Sequence, residues 1–221
     1  MNAADSARGY EFKNLGTQPY KEVYAIQLAR LHEIQQGNAK DTVFLVEHPH
    51  VYTYGKRSDL KHFRGGLDKS GLTCWGIPVE KVDRGGQITY HGPGQLVVYP
   101  IVKLVRKRKN ISWLLRTFEE ILINTLAVFE IEGFRIEKKT GVWTTKGKIA
   151  SIGIGVKKWV SFHGMALNVN TDLSYFERIV PCGLVEDRMT SMKEHLGKEA
   201  SMDAVKKAFC RSFTSVWLNN A

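Results

Sequence analysis

The chain has 221 residues, of which 43% are hydrophobic and 24% are charged, a composition typical of a soluble globular protein. No apolar run approaches the roughly 20 residues that a membrane-spanning helix needs, and the first residues lack the basic and apolar regions of a secretion signal. These features argue against a membrane or secreted protein, and we expect a cytoplasmic protein with no membrane partner.

The chain is basic, with 32 Lys and Arg against 22 Asp and Glu and a formal net charge of +10. Such an excess favours acidic partners. No zinc-finger spacing or RNA-binding aromatic motif accompanies it, so a nucleic-acid-binding domain is an alternative that depends on charge alone, and we expect no nucleic-acid partner. Three single cysteines without a CxxC pattern indicate reduced thiols rather than a disulfide framework.

The first half of the chain contains one predicted helix and two clear predicted strands. Residues 20–36 carry apolar side chains at helical spacing, and Gly37 is a plausible stop. The short run TVFLVE at 42–47 predicts a buried strand, and QLVVYPIV at 95–102 predicts another.

A second helix and a hairpin are predicted to follow. Residues 112–131 have a broad apolar face, and Gly133 is the expected end of that helix. The strand-like segments 148–156 and 159–169 are so close in sequence that they predict a tight hairpin, with its turn at Lys157 and Lys158.

Symmetric pairing about that turn would place Lys148 opposite Leu167. A last helix is predicted from the N-cap Ser201 to about residue 218. Helices mixed with hairpins indicate an α+β fold, with helices packed on a mixed or antiparallel sheet. No repeat or linker interrupts the sequence, so we expect one domain over 1–221, with its core at about 15–217.

The most unusual stretch is DRGGQITYHGPGQLVVYP at 83–100, where four glycines flank a Tyr-His pair. Glycines let the backbone approach a ligand closely, and Arg84 adds a fixed charge. The stretch fits neither a Walker A nor a Rossmann pattern. It predicts either a ligand-binding segment or a hairpin rich in turns.

Two further polar residues have both a structural and a functional interpretation. Lys148 begins an otherwise apolar strand, and His163 precedes a glycine in another. Each could line a pocket, but periodicity alone favours a solvated strand end for the lysine and a hydrogen-bonded core position for the histidine. His48 and His50 share EHPH with Glu47 without any metal-binding spacing, so we expect a structural loop there and no metal.

Cys182 differs from the other two cysteines because it lies in an irregular Pro-Cys-Gly segment. Such a loop can present a sulfur to a pocket, whereas Cys74 and Cys210 have apolar neighbours and are expected to be packed. A free thiol is mostly protonated at neutral pH, so a reactive Cys182 needs a cation beside it. The nearest cationic residues in the sequence are Arg178, four positions before Cys182, and Arg188, six positions after it.

Several separate blocks of the sequence resemble the octanoyltransferases of lipoate biosynthesis, the lipoyl(octanoyl) transferase or lipoate–protein ligase B family. The blocks are RGGQITYHGPGQLVVYPI, GKIASIGI, SFHGMALNVNTDL and PCG, in this order, together with EHPHVYTYGKR at 47–57. The resemblance covers about residues 15–217. It implies a fold similar to the catalytic domain of biotin protein ligases and lipoate ligases, and an acyltransferase that needs no cofactor.

The resemblance also implies roles for individual residues. Cys182 would be the nucleophile that carries the acyl group as a thioester, and Lys148 would be its activating partner. The implied substrate-binding residues are Arg84, Gly85, Gly86, Gln87, Ile88, Thr89, Tyr90, His91, Ser151, Ile152, Gly153, Gly164, Met165 and Ala166.

The partners implied by the resemblance are octanoyl-acyl carrier protein as the acyl donor, and as acceptors the lipoyl domains of 2-oxoacid dehydrogenases and the glycine cleavage H protein. Two other functions remain open. One is an ATP-dependent lipoate or biotin protein ligase on the same fold, which would not require a nucleophilic cysteine. The other is a protein that binds the carrier and transfers nothing.

Overall fold

The computed structural model describes residues 9–55, 58–64, 66–71, 73–180 and 188–219. The described part of the chain contains β1 (Tyr10–Thr17), α1 (Tyr20–Gln36), β2 (Asp41–Glu47), β3 (Val51–Tyr54), β4 (Thr73–Cys74), β5 (Ile77–Lys81), β6 (Ile88–His91), β7 (Gln95–Ile101), α2 (Ile111–Ala127), β8 (Val142–Thr144), β9 (Gly147–Lys157), β10 (Val160–Asn168), α3 (Met192–Leu196) and α4 (Met202–Asn219). None of these helices is long and apolar enough to cross a membrane.

The larger of two sheets has the strand order β1-β2-β7-β10-β9-β8. β1 pairs with β2 in parallel and the other neighbours are antiparallel, so the sheet is mixed. Side chains of α2 and α4 form the main core with residues of this sheet such as Leu45 and Leu167. Side chains of α1 form a second core with other residues of the same strands, including Phe44 and Ala166. The predicted α+β fold with helices packed on a mixed sheet is confirmed.

The smaller sheet has the strand order β4-β5-β3-β6 and its own core of aromatic side chains. Tyr52, Tyr90 and Phe176 belong to this core, and Phe176 comes from a 3-10 helix at Leu173–Arg178. The sheet was not predicted from the sequence. Its strands have only two to five residues, too few for a clear alternation of apolar and polar side chains.

The predicted helices are present, but α2 ends earlier than expected. Gly37 ends α1 in the left-handed conformation, with φ 83°. α2 ends at Ala127 rather than near residue 131. Glu130 adopts a left-handed conformation, and the amide of Ile131 donates back to the carbonyl of Leu126. This turn buries Ile131, which an extended helix would have carried away from the core.

The predicted hairpin of β9 and β10 exists, but its predicted register is wrong by two residues. Leu167 pairs with Ala150 rather than with Lys148. The reason is the turn, which is centred on Lys158 and Trp159, both with positive φ, instead of on Lys157 and Lys158. A shift of two residues keeps every side chain on its expected face of the sheet.

Candidate functional site

A narrow, mostly apolar pocket lies where the large sheet meets the glycine-rich segment and the start of α1. It is lined by Tyr20, Arg84, Gly86, Gln87, Ile88, Thr89, His91, Val97, Tyr99, Lys148, Ser151, Ile152, Gly153, His163, Gly164, Met165 and Ala166. Segments that are far apart in the sequence, from β6, β7, β9 and β10, therefore contribute to one site.

The structure brings together Lys148 and twelve of the fourteen substrate-binding residues implied by the resemblance; the two others lie elsewhere. Gly85 lines an outer groove that adjoins the pocket. Tyr90 packs in the core of the small sheet, and its hydroxyl lies 2.7 Å from Nδ1 of His50. Successive side chains of a strand point to opposite faces, so Tyr90 faces away from its neighbours Thr89 and His91, which line the pocket.

Four lining residues were not among the predicted site residues: Tyr20, Val97, Tyr99 and His163. The alternation along β7 does place Val97 and Tyr99 on one face, but the sequence does not say which face bears a pocket. Tyr20 is simply the first residue of α1. His163 was given two interpretations, and the structure supports both, since it is buried, hydrogen-bonded and part of the wall.

The glycine-rich segment is held against β9 by main-chain contacts. The amide of Gly85 donates to the carbonyl of Ile154 at 2.9 Å. A Cβ atom at Gly153 would lie 3.0 Å from the carbonyl oxygen of Gly85 and 3.1 Å from Cδ of Arg84. Glycine at position 153 is what allows this close approach of the two backbones. The guanidinium of Arg84 donates to the carbonyl and hydroxyl oxygens of Thr53, at 3.0 and 2.9 Å, which fixes its charge at the pocket wall.

Lys148 is the buried cation of the site, with a relative exposure of 4%. Its Nζ lies 4.9 Å from the ring centroid of Trp143, a favourable cation–π arrangement. Its side chain passes over Gly141, where a Cβ atom would lie 2.8 Å from Cε of Lys148. Lys148 lines both the apolar pocket and the outer groove, so its ammonium stands at the boundary between them.

The backbone of Lys148 is paired with the segment that follows the Pro-Cys-Gly motif. Its amide donates to the carbonyl of Arg188 at 2.8 Å, and its carbonyl accepts from the amide of Thr190 at 2.9 Å. Cys182, the predicted nucleophile, lies outside the described residues. It precedes Arg188 by only six positions in the sequence, so the chain that carries it is connected directly to the segment beside Lys148.

A buried carboxylate fixes the backbone on the other side of Lys148. Glu119, on α2, is 1% exposed and accepts from Arg116 at 2.7 Å and from Arg135 at 3.1 Å. Its other oxygen accepts from the amide of Gly141 at 3.1 Å. Glu119 therefore ties residues 135–141 to α2, and with them the glycine over which Lys148 lies.

The buried His91 lines the pocket, and the buried His48 lies beside the pocket wall, with its Nε2 2.8 Å from the hydroxyl of Tyr99. Burial lowers the pKa of His91 to about 3 and the pKa of His48 to about 4. Nδ1 of His91 lies 2.7 Å from Oε1 of Gln95, whose amide nitrogen donates to Asn168 at 2.9 Å. Because Gln95 thus uses its nitrogen as a donor, its oxygen accepts, and Nδ1 of His91 carries the proton.

His163 links the pocket to a charged group at its rim. Burial lowers the pKa of His163 to about 4, and its Nε2 lies 3.1 Å from Oδ1 of Asp83. Partial burial acts to raise the pKa of Asp83. Hydrogen bonds from Lys157, Tyr24 and His163 outweigh this effect and hold that pKa well below its usual range. His163 adopts φ 56° inside β10, a conformation that is uncommon for a residue other than glycine.

The two described cysteines fit the expected structural roles. Cys74 is fully buried in the core of the small sheet, and burial raises the pKa of its thiol. Cys210 packs against the main core from α4. Among the residues that the structure describes, no three His, Cys, Asp or Glu side chains are grouped so that they could hold a metal ion.

Comparison with known proteins matches the sequence to one family. The family model of the lipoyl protein ligase A/B catalytic domain matches residues 19–214. An octanoyltransferase of Syntrophotalea carbinolica is 47% identical over 211 residues, which cover 94% of this chain and 96% of the relative.

Solved structures with low sequence identity share the fold. A bipartite lipoate protein ligase from Thermoplasma acidophilum, studied with its E2 lipoyl domain, superposes with a TM-score of 0.72 at 17% identity, covering 95% of this chain and 83% of the other. The biotin protein ligase from Aquifex aeolicus in complex with biotin and ATP has a TM-score of 0.54 at 14% identity, covering 95% and 71%. The predicted similarity to the biotin and lipoate ligase catalytic domains is confirmed.

Proposed function

Because the chain belongs to the octanoyltransferase family, within the lipoyl protein ligase A/B catalytic-domain group, we propose that it transfers an octanoyl group from octanoyl-acyl carrier protein to a lysine of a lipoyl domain. The observation that carries the proposal is the buried ammonium of Lys148 at the mouth of an apolar pocket, paired through its backbone with the segment that follows Cys182.

In the first step the thiolate of Cys182 attacks the carbonyl carbon of the carrier's thioester. A new carbon–sulfur bond forms, the bond to the carrier's sulfur breaks, and the departing thiolate takes a proton from Lys148. The products are octanoyl-Cys182 and the free phosphopantetheine thiol. One thioester replaces another, so the free-energy change is small and no nucleotide is needed to drive the exchange.

In the second step the amine of the acceptor lysine attacks octanoyl-Cys182. An amide bond forms, the thioester to Cys182 breaks, and the neutral Lys148 accepts a proton from the attacking amine. Lys148 thus acts first as general acid and then as general base. The amide is much more stable than the thioester, so this step draws the reaction forward.

Lys148 suits this role because of where it is held. A cation beside a thiol favours the thiolate electrostatically, and the effect is greater in a site sheltered from water. The ring of Trp143 and the bare backbone of Gly141 fix the lysine side chain on two sides. The lysine side chain is therefore already ordered before the substrate binds, and little conformational entropy is lost when its ammonium acts in the reaction.

The apolar pocket behind Lys148 would hold the octanoyl chain. Burial of each CH₂ group is worth about 0.8 kcal/mol, so a chain of eight carbons gains several kcal/mol from such a site. Ile88, Val97 and Met165 line it, and burial keeps the nearby His91 uncharged. These apolar side chains and the uncharged imidazole suit a fatty acyl chain.

The acceptors follow from the family and from the charge. We propose the lipoyl domains of 2-oxoacid dehydrogenases and the glycine cleavage H protein, and the net charge of +10 would attract both an acidic carrier and acidic lipoyl domains. The similar ligase of Thermoplasma acidophilum was studied with an E2 lipoyl domain, which supports an acceptor of this kind.

The second candidate is an ATP-dependent ligase, because the similar biotin protein ligase structure contains ATP. The two functions are separated by incubating the protein with a lipoyl domain and octanoyl-acyl carrier protein without nucleotide. We expect octanoylated lipoyl domain under these conditions. Product that requires ATP and free octanoic acid would establish the ligase instead.

Variants then assign the residues. Lys148→Ala is expected to slow transfer by about 10²- to 10⁴-fold, the usual contribution of general acid–base catalysis, while leaving carrier binding nearly unchanged. Cys182→Ala is expected to abolish transfer, and Cys210→Ala, on the distant helix α4, serves as the control. Near-normal turnover of Lys148→Ala would remove this lysine from the mechanism.

A further inference from the structure

We propose that the outer groove beside the pocket receives the phosphopantetheine arm of the acyl carrier protein, and that Lys138 and Lys139 contact the anionic end of that arm. The inference depends on the proposed function, because only a thioester donor has such an arm. The inference adds to the proposed function a defined route by which the donor's arm reaches the pocket, and two donor-binding residues, Lys138 and Lys139, outside the reaction centre.

The groove adjoins the pocket and shares part of its wall. It has a volume of about 590 Å³, within the range of about 300–1,000 Å³ typical of small-molecule sites. Its walls combine Ile111 and Leu115 of α2 with Ile154 of β9 and the glycine-rich segment. Lys148 and Ile152 line both spaces. A chain lying in the groove would therefore bring its end to the ammonium of Lys148.

One residue of the groove wall carries an unused hydrogen-bond donor. Trp143 lines it and is only 3% exposed. Its indole nitrogen, Nε1, is buried and has no partner among the residues that the structure describes. A buried N–H group without an acceptor is costly, so such a group in a ligand groove indicates an acceptor on the ligand. The pantetheine arm offers two amide carbonyl oxygens.

Positive charge borders the groove. Lys138 and Lys139 both line it, and Nζ of Lys139 lies 6.0 Å from the same Trp143 ring that Lys148 contacts. The side chain of Lys138 is 89% exposed, so it can reach an approaching protein, although its Nζ lies 3.8 Å from the equally exposed carboxylate of Glu137, which offsets part of its charge. α2 begins at Ile111 with no acidic residue in its first turn, so the positive end of its dipole is not offset there.

The segment that bears these lysines is fixed rather than loose. Residues 135–141 are held to α2 by the buried Glu119, which accepts from Arg135 and from the amide of Gly141. Lys138 itself is held with φ 63°, a conformation that is uncommon for a residue other than glycine. The two ammonium groups are thus presented from a defined backbone.

The chemistry of the groove suits the donor better than the acceptor. A pantetheine arm is a linear chain with apolar carbons, two amides and a terminal phosphodiester, and these match the apolar walls, the indole donor and the lysines in turn. The acceptor brings a lysine side chain, whose positive charge would be repelled by Lys138 and Lys139. The charges therefore favour the donor arm as the occupant.

The test compares charge reversal at the groove with the same charge change elsewhere. The double variant Lys138→Glu/Lys139→Glu is set against Lys198→Glu/Lys207→Glu, two exposed lysines that do not line the groove. Formation of the acyl-enzyme is timed by rapid quench with three donors: octanoyl-acyl carrier protein, octanoyl-phosphopantetheine and the uncharged octanoyl-pantetheine. Transfer from preformed acyl-enzyme to a lipoyl domain is measured separately.

We expect the groove variant to lower kcat/KM about tenfold or more with the carrier protein and with octanoyl-phosphopantetheine at low salt, and less than twofold with octanoyl-pantetheine. In the control variant, kcat/KM with the two charged donors should fall much less than in the groove variant. Trp143→Phe, which keeps the ring and removes the N–H, should lower kcat/KM about fivefold with all three donors, as expected for one hydrogen bond.

Several outcomes would overturn the inference. Equal losses in the groove and control variants would show that net charge alone attracts the carrier. A loss confined to transfer from the preformed acyl-enzyme would assign the groove to the acceptor, and unchanged rates with all donors would remove the groove from binding. If the unmodified protein forms no acyl-enzyme with any thioester, the proposed function itself fails, which is a different result.

Discussion

Replacement of Gly141 by alanine is expected to displace Lys148 and to reveal how the lysine is positioned. Gly141 has φ 138°, and an added Cβ would lie 2.7 Å from the carbonyl oxygen of Ala150 and 2.8 Å from Cε of Lys148. The side chain of Lys148 can move away from the added Cβ, but a shift of the β9 backbone at Ala150 would disturb its pairing with the neighbouring strands and is costly in free energy. The alternative, a shift of Gly141, would lengthen its 3.1 Å hydrogen bond to Glu119.

The magnitude follows from these contacts. A non-glycine residue at such a φ costs about 1–3 kcal/mol, and overpacking adds about 1–3 kcal/mol. For a chain of this length, the summed loss of about 2–6 kcal/mol corresponds to a Tm lower by roughly 4–24 °C. A displacement of the ammonium by about 1 Å can slow catalysis by about 10²-fold. The expected result is therefore a folded protein with a lower Tm and a much lower kcat.

The matched control is Gly197→Ala. Gly197 has φ 69° and no atom within 4 Å of the position that a Cβ would take, so alanine there adds backbone strain without a new contact. Thermal unfolding gives Tm, and octanoyl transfer is assayed well below the Tm of either variant. A Gly141→Ala variant that keeps the kcat of the control would refute the positioning of Lys148 by Gly141, even if its Tm were lower.

Two further predictions concern buried ionisable side chains. Glu119→Gln is expected to lower the free energy of unfolding by about 1–3 kcal/mol and to lower kcat. The neutral amide has one acceptor oxygen, so it cannot accept from both the amide of Gly141 and the two arginines, as the carboxylate does. The exposed Glu120→Gln should change neither quantity, and equal urea midpoints for the two variants would contradict the prediction. Lower pH is expected to destabilise the protein, because burial lowers the pKa of His48 and His163 to about 4 and of His91 to about 3, below the 6.5 of the unfolded chain. The stability that these neutral histidines contribute is complete above about pH 6.5 and is lost as the pH falls towards 4, by about 1–2 kcal/mol for each histidine at pH 5. A free energy of unfolding that is equal or higher at pH 5 than at pH 7.5 would contradict this prediction.

The sequence predicted the larger elements because their apolar periodicity is long enough to read. α1, α4 and the central strands follow it, and the hairpin is present with the correct faces. Its register was missed because the turn uses Trp159 with a positive φ, which no turn propensity favours. The end of α2 was missed because Ile131 is buried by a turn of the chain rather than by the helix.

The site was less accessible to sequence reasoning than the fold. Periodicity alone favoured a solvated Lys148, and the structure buries it beside Trp143, since the tertiary contacts of β8 and β9 decide its surroundings. The wall residues Tyr20 and Tyr99 come from distant elements that only the folded chain unites. The motif resemblance directed attention to the glycine-rich segment, but Tyr90 in its middle belongs to the core of the small sheet.

The passage of the acyl group through Cys182 is tested most directly by mass spectrometry of the protein after incubation with octanoyl-acyl carrier protein alone, without nucleotide or acceptor. The peptide that contains Cys182 should gain the mass of one octanoyl group, and hydroxylamine should remove it, as it cleaves thioesters. An adduct on Cys74 or Cys210 would contradict the mechanism. So would the absence of any adduct from a protein preparation that octanoylates a lipoyl domain in a separate incubation.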